Sequence, residues 1–340
     1  MESPTPFSPT SNSPESHSVL EELRDFRSKI PRDLLAKYEK PTTGRAVLQI
    51  ARDWMLALLG HQLYIWRPNV WTIVAAMLLM AWSQRGISNL AHDSLHRNLF
   101  IRKSLNDWVA DLFLAPPLMN TATLQRMSHT AHHHYLGTKD DPDHGVDSDT
   151  SLKHYRTGRF DHKTIASLFI YDLCDPVLFT QNAIGSLPDA PLQLAAWWTA
   201  ATVIAGFLEP HPYKMLSIPF GWRFTMLFHL ARCTVSYAVY VLREIIDHSG
   251  LPSSSVIEFT RTSPCCNAIQ KILQPHDDNY HLLHHLLPRV PMGHLHELHE
   301  WLVANVEEYE RANRHTTYFS GENALFAQEL HRSNDVASKT

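Results

Sequence analysis

Apolar positions gather into four stretches along the chain, Trp54–Trp66, Val70–Trp82, Ala190–Leu208 and Trp222–Leu242. Crossing a bilayer as a helix takes about 20 largely apolar residues. The third stretch comes nearest to an uninterrupted span and is the only one convincing by itself. The first two fall short of that length, and the fourth carries Arg223, His229 and Arg232, which are costly at membrane depth. Arg67, Pro68 and Asn69 separate the first pair as a tight turn would, so the pattern predicts a helical hairpin that runs on past its apolar centre to Leu90. The third and fourth stretches predict a second hairpin. A soluble bundle with apolar core helices is the alternative, and a mean hydropathy of -0.22 keeps it open.

Strand signals are few and no repeat of 20 to 50 residues is visible, so the expected fold class is all-α. A long polar segment covers residues 138–159, and a C-terminal helix is expected near Pro291–Arg311. Residues 1–18 are rich in Ser, Pro, Thr and Asn and predict a disordered tail. No apolar core of a cleavable signal follows, so the amino terminus is expected to stay in the cytosol. An amphipathic segment at 19–48 and a polar tail at 312–340 flank the main domain, 49–311.

Composition narrows the chemistry. With 340 residues the chain is long enough to build a sizeable core without disulfides. A formal charge of -4 argues against a phosphate-neutralising nucleic-acid surface. Cys174, Cys233, Cys265 and Cys266 form no C-x-x-C pair, which fits a reducing compartment and excludes the usual zinc and iron–sulfur spacings. No G-x-G-x-x-G or phosphate-loop arrangement accompanies the 12 glycines. Histidine is the outlier, with 23 copies, and it is the side chain most used for metal ligation.

The histidines cluster. His92 and His96 stand four apart, His129, His132 and His133 form H-x-x-H-H, and His281, His284 and His285 form it again. Such spacings put the imidazoles of each group on one helix face. An isolated pair of this kind is more often structural or exposed than ligating. For this composition, however, H-x-x-H-H is expected about 0.1 times by chance, and two copies are present. A second grouping, His129 with His133 and His134, is also possible. His294, His296 and His299 belong to the C-terminal amphipathic helix, where surface placement is the simpler reading.

Imidazole suits Zn, Cu, Fe and Ni, and eight such ligands are too many for one ion, so two metals are implied. Neutral ligands leave the cations uncompensated, and nearby carboxylates are expected to orient the imidazoles. Asp93 sits inside the first group; Asp140, Asp141 and Asp143 follow the second; Asp277, Asp278 and Asn279 precede the third. Each serves equally well as a helix cap or turn residue.

These groups, together with Asn89-Leu90-Ala91-His92-Asp93, His132-His133-His134-Tyr135-Leu136-Gly137 running to Asp141-Pro142-Asp143, and Asn279-Tyr280-His281, resemble the three histidine boxes of the membrane fatty-acid desaturase and hydroxylase superfamily. The similarity extends from about Trp71 to Trp301. The resemblance implies an integral membrane helical domain with about four spanning helices and a cytosolic cap. It also implies a site for two iron ions on the cytosolic side, at the bacterial inner membrane or the endoplasmic reticulum, with both termini on that side. The boxes would supply His92, His96, His129, His132, His133, His281, His284 and His285. His248, in Glu244-Ile245-Ile246-Asp247-His248-Ser249-Gly250-Leu251, corresponds to the family's ninth histidine. Glu244, a turn earlier, corresponds to a polar group near the metal, although it is equally placed to pair with Arg243 or Arg232. Asp93, Asp143 and Asn279 are the candidates for supporting the ligands.

The implied activity is O₂-dependent desaturation of an unactivated C–C bond in a fatty-acyl or other lipid-like substrate. Electrons would come from an external ferredoxin or cytochrome b5 type carrier, since the chain has no flavin, NAD or haem signature. Hydroxylation or ketolation on the same scaffold is the nearest rival, and a small amphiphilic specialised metabolite is the alternative substrate. A metal carrier without redox chemistry belongs to another class, and loose histidine tracts would suit it better than these helical units.

Overall fold

The computed structural model describes residues 14–143, 165–215, 217–249, 251, 255–263, 268–312 and 318. Helix α1 (Pro14–Ser28) and α2 (Arg32–Tyr38) precede two long helices, α3 (Thr43–Trp66) and α4 (Val70–Leu95). The turn between the long pair falls where the sequence places it. Asn69 caps α4 by accepting from the Trp71 and Thr72 amides, while the Thr72 hydroxyl accepts from the Asn69 amide, a reciprocal cap that fixes the start of the helix. Helix α4 runs five residues beyond the expected Leu90 and ends just short of His96.

A short α5 (Lys103–Val109) continues into a π turn at Ala110–Leu114 and is followed by α6 (Ala122–Tyr135). Helices α7 (Ile165–Leu173) and α8 (Pro176–Ile184) lead to α9 (Pro191–Gly206). A small antiparallel hairpin follows, β1 (Tyr213–Met215) with β2 (Ile218–Phe220). Helix α10 (Trp222–His248) is one rod with a π turn at Arg232–Ser236. The cap is completed by α11 (Val256–Phe259), α12 (Ala268–Leu273), α13 (His281–Leu286), α14 (Met292–Asn305) and α15 (Glu307–Glu310).

Two of these helices, Val70–Leu95 and Trp222–His248, are long and apolar enough to cross a membrane. This reverses the order expected from sequence, where Ala190–Leu208 was the strongest span. Helix α9 has 16 residues, about 24 Å at the helical rise, because Phe207 ends it ahead of the hairpin. The fourth stretch makes a long rod in which Arg232 is buried, while Arg223 and His229 are half-buried. The hairpin is the departure from an all-helical chain. The C-terminal helix also breaks in two, since Val306 is extended between α14 and α15. The segment read as a tail already turns helical at Pro14, and α3 begins before the boundary set at residue 49. Residues 1–13 and nearly all of 312–340, read as tails, lie outside the described residues, as does most of 138–159.

The core has separate parts. Ala57, Ala76, Trp198, Phe224 and Phe228 join α3, α4, α9 and α10. Phe26, Leu35, Leu282, Leu283, Leu295 and Tyr309 join α1, α2, α13, α14 and α15 into the cap. Between these parts lie the ends of α4 and α10. Helices α3 and α4 approach closely at Gly86, where a Cβ would lie 2.3 Å from the Asp53 carboxylate. Asp53 is fully buried and paired with Arg52 and His276, so side-chain packing there depends on glycine.

Candidate metal centre

The histidine groups sit at the ends of α4, α6, α10 and α13, and specific contacts bring those ends together. The final carbonyls of α4 lack helical partners. Arg126 of α6 donates to Leu95 and Ser94, and Asn106 also donates to Ser94, so the helix bearing His129, His132 and His133 is tied to the one bearing His92 and His96. At the end of α10, the fully buried Arg261 donates to the carbonyls of Ile246 and Ser249. The Arg261 carbonyl then accepts from Leu282 in α13. The third histidine group is thereby held beside His248.

Nine imidazoles converge as a result. His92, His96, His129, His133 and His284 offer nitrogens that all lie within 4.8 Å of one another. His132, His248 and His285 form a second set on the same criterion, and His281 joins it, its Nε2 lying 3.0 Å from that of His285 and 3.2 Å from that of His248. The sets abut: the rings of His133 and His285 are 4.6 Å apart at their centroids. In the first set, Nε2 separations are 2.8 Å for His96 and His129, 3.0 Å for His129 and His133, and 3.1 Å for His133 and His284.

These distances suit metal ligands. With a metal–nitrogen bond of about 2.1 Å, two ligands at a right angle lie about 3.0 Å apart. Burial, reinforced by neighbouring imidazoles and arginines, holds His129, His133, His281, His284 and His285 well below the ordinary imidazole pKa, and His96 is pushed down to about 4. The rings are therefore neutral at physiological pH, with a lone pair free for a cation. His132 donates from Nδ1 to Asp141 Oδ1 at 2.9 Å, and His248 donates from Nδ1 to the Phe259 carbonyl at 3.1 Å. Both bonds leave Nε2 unprotonated and facing inward. His281 differs, because Arg243 donates to its Nδ1 at 3.1 Å.

Of the acidic residues noted beside the groups, Asp141 makes the direct bond to an imidazole. Asp93 accepts from Asn98 and from the Met292 amide; it anchors α14 and orients no imidazole. Asn279 exchanges hydrogen bonds with the backbone of Ser263 and secures the approach to α13. Asp143 lies 3.5 Å from His132 Nδ1, behind the closer Asp141. Glu244 pairs with Arg243 rather than Arg232. His299 is buried and hydrogen-bonded to the Tyr309 hydroxyl, against its expected surface position, whereas His296 is exposed. Sequence reasoning missed the ion cluster of Arg85, Arg243, Asp247 and Asp278 beside the third group. Its signal was Arg85 within an apolar span, a placement that marks an interior or functional charge.

A cavity of about 520 Å³ opens onto this cage, with His92, His129, Glu244 and Asp143 in its wall.

A family model described as fatty acid desaturase matches residues 68–317, an interval that contains all nine histidines. A dihydrorhizobitoxine desaturase from Bradyrhizobium elkanii is 28% identical over 287 residues, covering 76% of this chain and 75% of that protein. The chain belongs to the fatty acid desaturase family and is an oxidoreductase.

Proposed function

We propose that this desaturase-family chain holds two iron ions in its histidine cage and uses O₂ to desaturate a C–C bond, with electrons supplied by an external ferredoxin or cytochrome b5 type carrier. The observation that carries the reading is the convergence of nine imidazoles, buried or half-buried, from positions 92 to 285, beside a cavity whose wall includes His92 and His129. When bound, the irons would activate O₂ for removal of hydrogen from an unactivated carbon.

The protein's own part is positioning and charge. His92, His96, His129, His133 and His284 would hold one ion, and His132, His248, His281 and His285 the other. Asp141 and the Phe259 carbonyl fix two of the rings in the ligating tautomer. Ligation by His281 Nε2 requires Arg243 to leave its Nδ1. Asp141, Asp143, Glu244 and Asp278 stand beside the cage among Arg85, Arg126, Arg243 and Arg261, and these carboxylates would offset part of the charge of two divalent cations. Glu244 and Asp143, in the cavity wall, have carboxylate oxygens able to hold a proton near the reacting carbon.

Four membrane spans, α3, α4, α9 and α10, complete the reading. Their outer faces expose large apolar side chains, among them Leu48, Met55, Leu78, Leu192 and Ile204, which lipid would cover. Trp66 and Trp71 flank the α3–α4 turn, as at a membrane interface. An even number of spans puts the described N- and C-terminal parts on the side of the cage, opposite that turn, which is the cytosolic side in this reading. The cavity wall mixes apolar surface with polar side chains, which suits an amphiphilic substrate. The relative from Bradyrhizobium is named for dihydrorhizobitoxine rather than for an acyl group.

The test is elemental analysis of detergent-purified protein together with product analysis. Two irons per chain, lost in His132→Ala and His284→Ala along with formation of a product two hydrogens lighter, are expected. Stoichiometric zinc with no such product would sink the reading.

A further inference from the structure

The cavity beside the cage has a wall of mixed character. Ala91, Leu95, Leu118, Leu178 and Tyr240 line it together with amides, hydroxyls, imidazoles and charged groups. Several of those polar groups are already hydrogen-bonded within the protein, Gln84 to Phe228 and Ser236, Asn89 to Pro275, and Arg85 to Leu273. What orients a ligand in such a site is a polar group left without a partner.

Arg232 stands out within that wall. It lies in the π turn of α10, a local irregularity that tends to accompany functional sites, and it is 6% exposed. Nη1 donates to the Asn182 carbonyl at 2.8 Å and Nη2 to the Ala183 carbonyl at 2.5 Å, while Nε is buried without an acceptor. Arg85 and Arg243, the other guanidiniums in the wall, are paired with Asp278 and with Glu244, Asp247 and Asp278. No carboxylate pairs with Arg232 among the described residues. The two carbonyls belong to the last turn of α8, whose end carries only about half a negative charge. A buried guanidinium needs more than that, since desolvating an unpaired ion costs several kcal/mol.

Resting on the desaturase reading, we propose that the substrate is a small polar molecule bearing a carboxylate, which Arg232 receives through Nε–H. Arg232 and Glu244 are twelve residues apart on one helix, about 18 Å along its axis. A molecule long enough to cover that interval joins the guanidinium to the cage. Its carboxylate fixes the register, so that the bond to be desaturated lies beside His92 and His129.

The experiment compares source cells lacking the gene and complemented with the wild type, Arg232→Met, Arg232→Lys or His284→Ala. Aqueous and lipid extracts are searched for a product two hydrogens lighter than its precursor, and the iron content of each purified protein is measured. A product in the aqueous extract that binds an anion exchanger and is absent from the His284→Ala cells is expected. With the precursor so identified, Arg232→Met should raise KM about 10- to 100-fold, the loss of a charge-assisted hydrogen bond. Arg232→Lys should recover part of that, and both should retain iron and most of kcat. A His284-dependent product in the lipid extract that is indifferent to Arg232 overturns the carboxylate inference and leaves the desaturase reading intact. Loss of iron in both Arg232 variants, or a fall in kcat at unchanged KM, assigns Arg232 to structure and also overturns it. Absence of any His284-dependent product in either extract removes the desaturase reading, and this inference with it.

Discussion

Asp141 Oδ1 accepts the Nδ1 proton of His132 at 2.9 Å, and the same carboxylate accepts from the amides of Gly137 and Asp143. The turn after α6 is thereby folded back onto its own histidine group, and the tautomer of His132 is set by a side chain nine residues away. Asp141→Asn offers a weaker acceptor that can also present its NH₂ to the ring. Metal affinity should fall about 10- to 100-fold, as is usual when such a partner is lost, measured by iron retention against a chelator. Unchanged retention would show that the ring orientation is held by other contacts.

The histidines divide by position in the fold. His132→Ala and His284→Ala remove an imidazole from the cage and should abolish product formation. His296→Ala alters an exposed residue whose ring meets Tyr280 and Glu300, and turnover should stay within about twofold. Equal loss in all three would break the link between the cage and the activity.

Acid should unfold the metal-free protein early. Burial lowers the pKa of His129, His133, His281, His284 and His285 in the folded state, and of His96 to about 4. The unfolded chain therefore binds more protons than the folded one between the ordinary histidine pKa of about 6.5 and these depressed values, and stability falls as pH drops through that window. The slope is about 1.4 kcal/mol per pH unit for each proton taken up. Melting temperatures of the apo-protein should decline as the pH falls below about 6.5. A melting temperature that rises on acidification would contradict the burial of neutral rings.

Gly86 admits no side chain, because a Cβ there would enter the space of the Asp53 carboxylate. Gly86→Ala must displace a buried ion that pairs with Arg52 and His276. A cost of about 3–5 kcal/mol follows, typical of breaking a buried pair, and it should appear as poor folding in detergent. Gly44→Ala, which meets open space, is the control and should be tolerated.

Labelled oxygen separates the two outcomes open to this chemistry. In ¹⁸O₂, a desaturated product carries no label, whereas hydroxylation or ketolation introduces it. Label in the purified product would replace desaturation by oxygen insertion on the same cage.

Local order was legible because it depends on neighbours in sequence. The Arg67–Asn69 turn, the helical spacing within each histidine group and the mostly helical architecture all follow from periodicities of three to four residues and from turn chemistry. Hydropathy ranked the stretches in a different order from helix length, since it sums side chains without knowing which way they face. Arg232 lowers the score of its stretch, yet in the fold it points inward from a long rod, while the more apolar Pro191–Gly206 stops after 16 residues.

The sequence alone determined that the imidazoles of each group share a helix face and that more ligands are present than one ion can use. Only the tertiary structure decided that the groups meet, that Asp141 and not Asp93 supports a ring, and that no carboxylate among the described residues pairs with Arg232 while Arg85 and Arg243 have theirs. The reason is physical. Spacing fixes direction within one helix, but the partner of a buried charge is chosen by packing between segments far apart in the chain, and no local pattern encodes that choice.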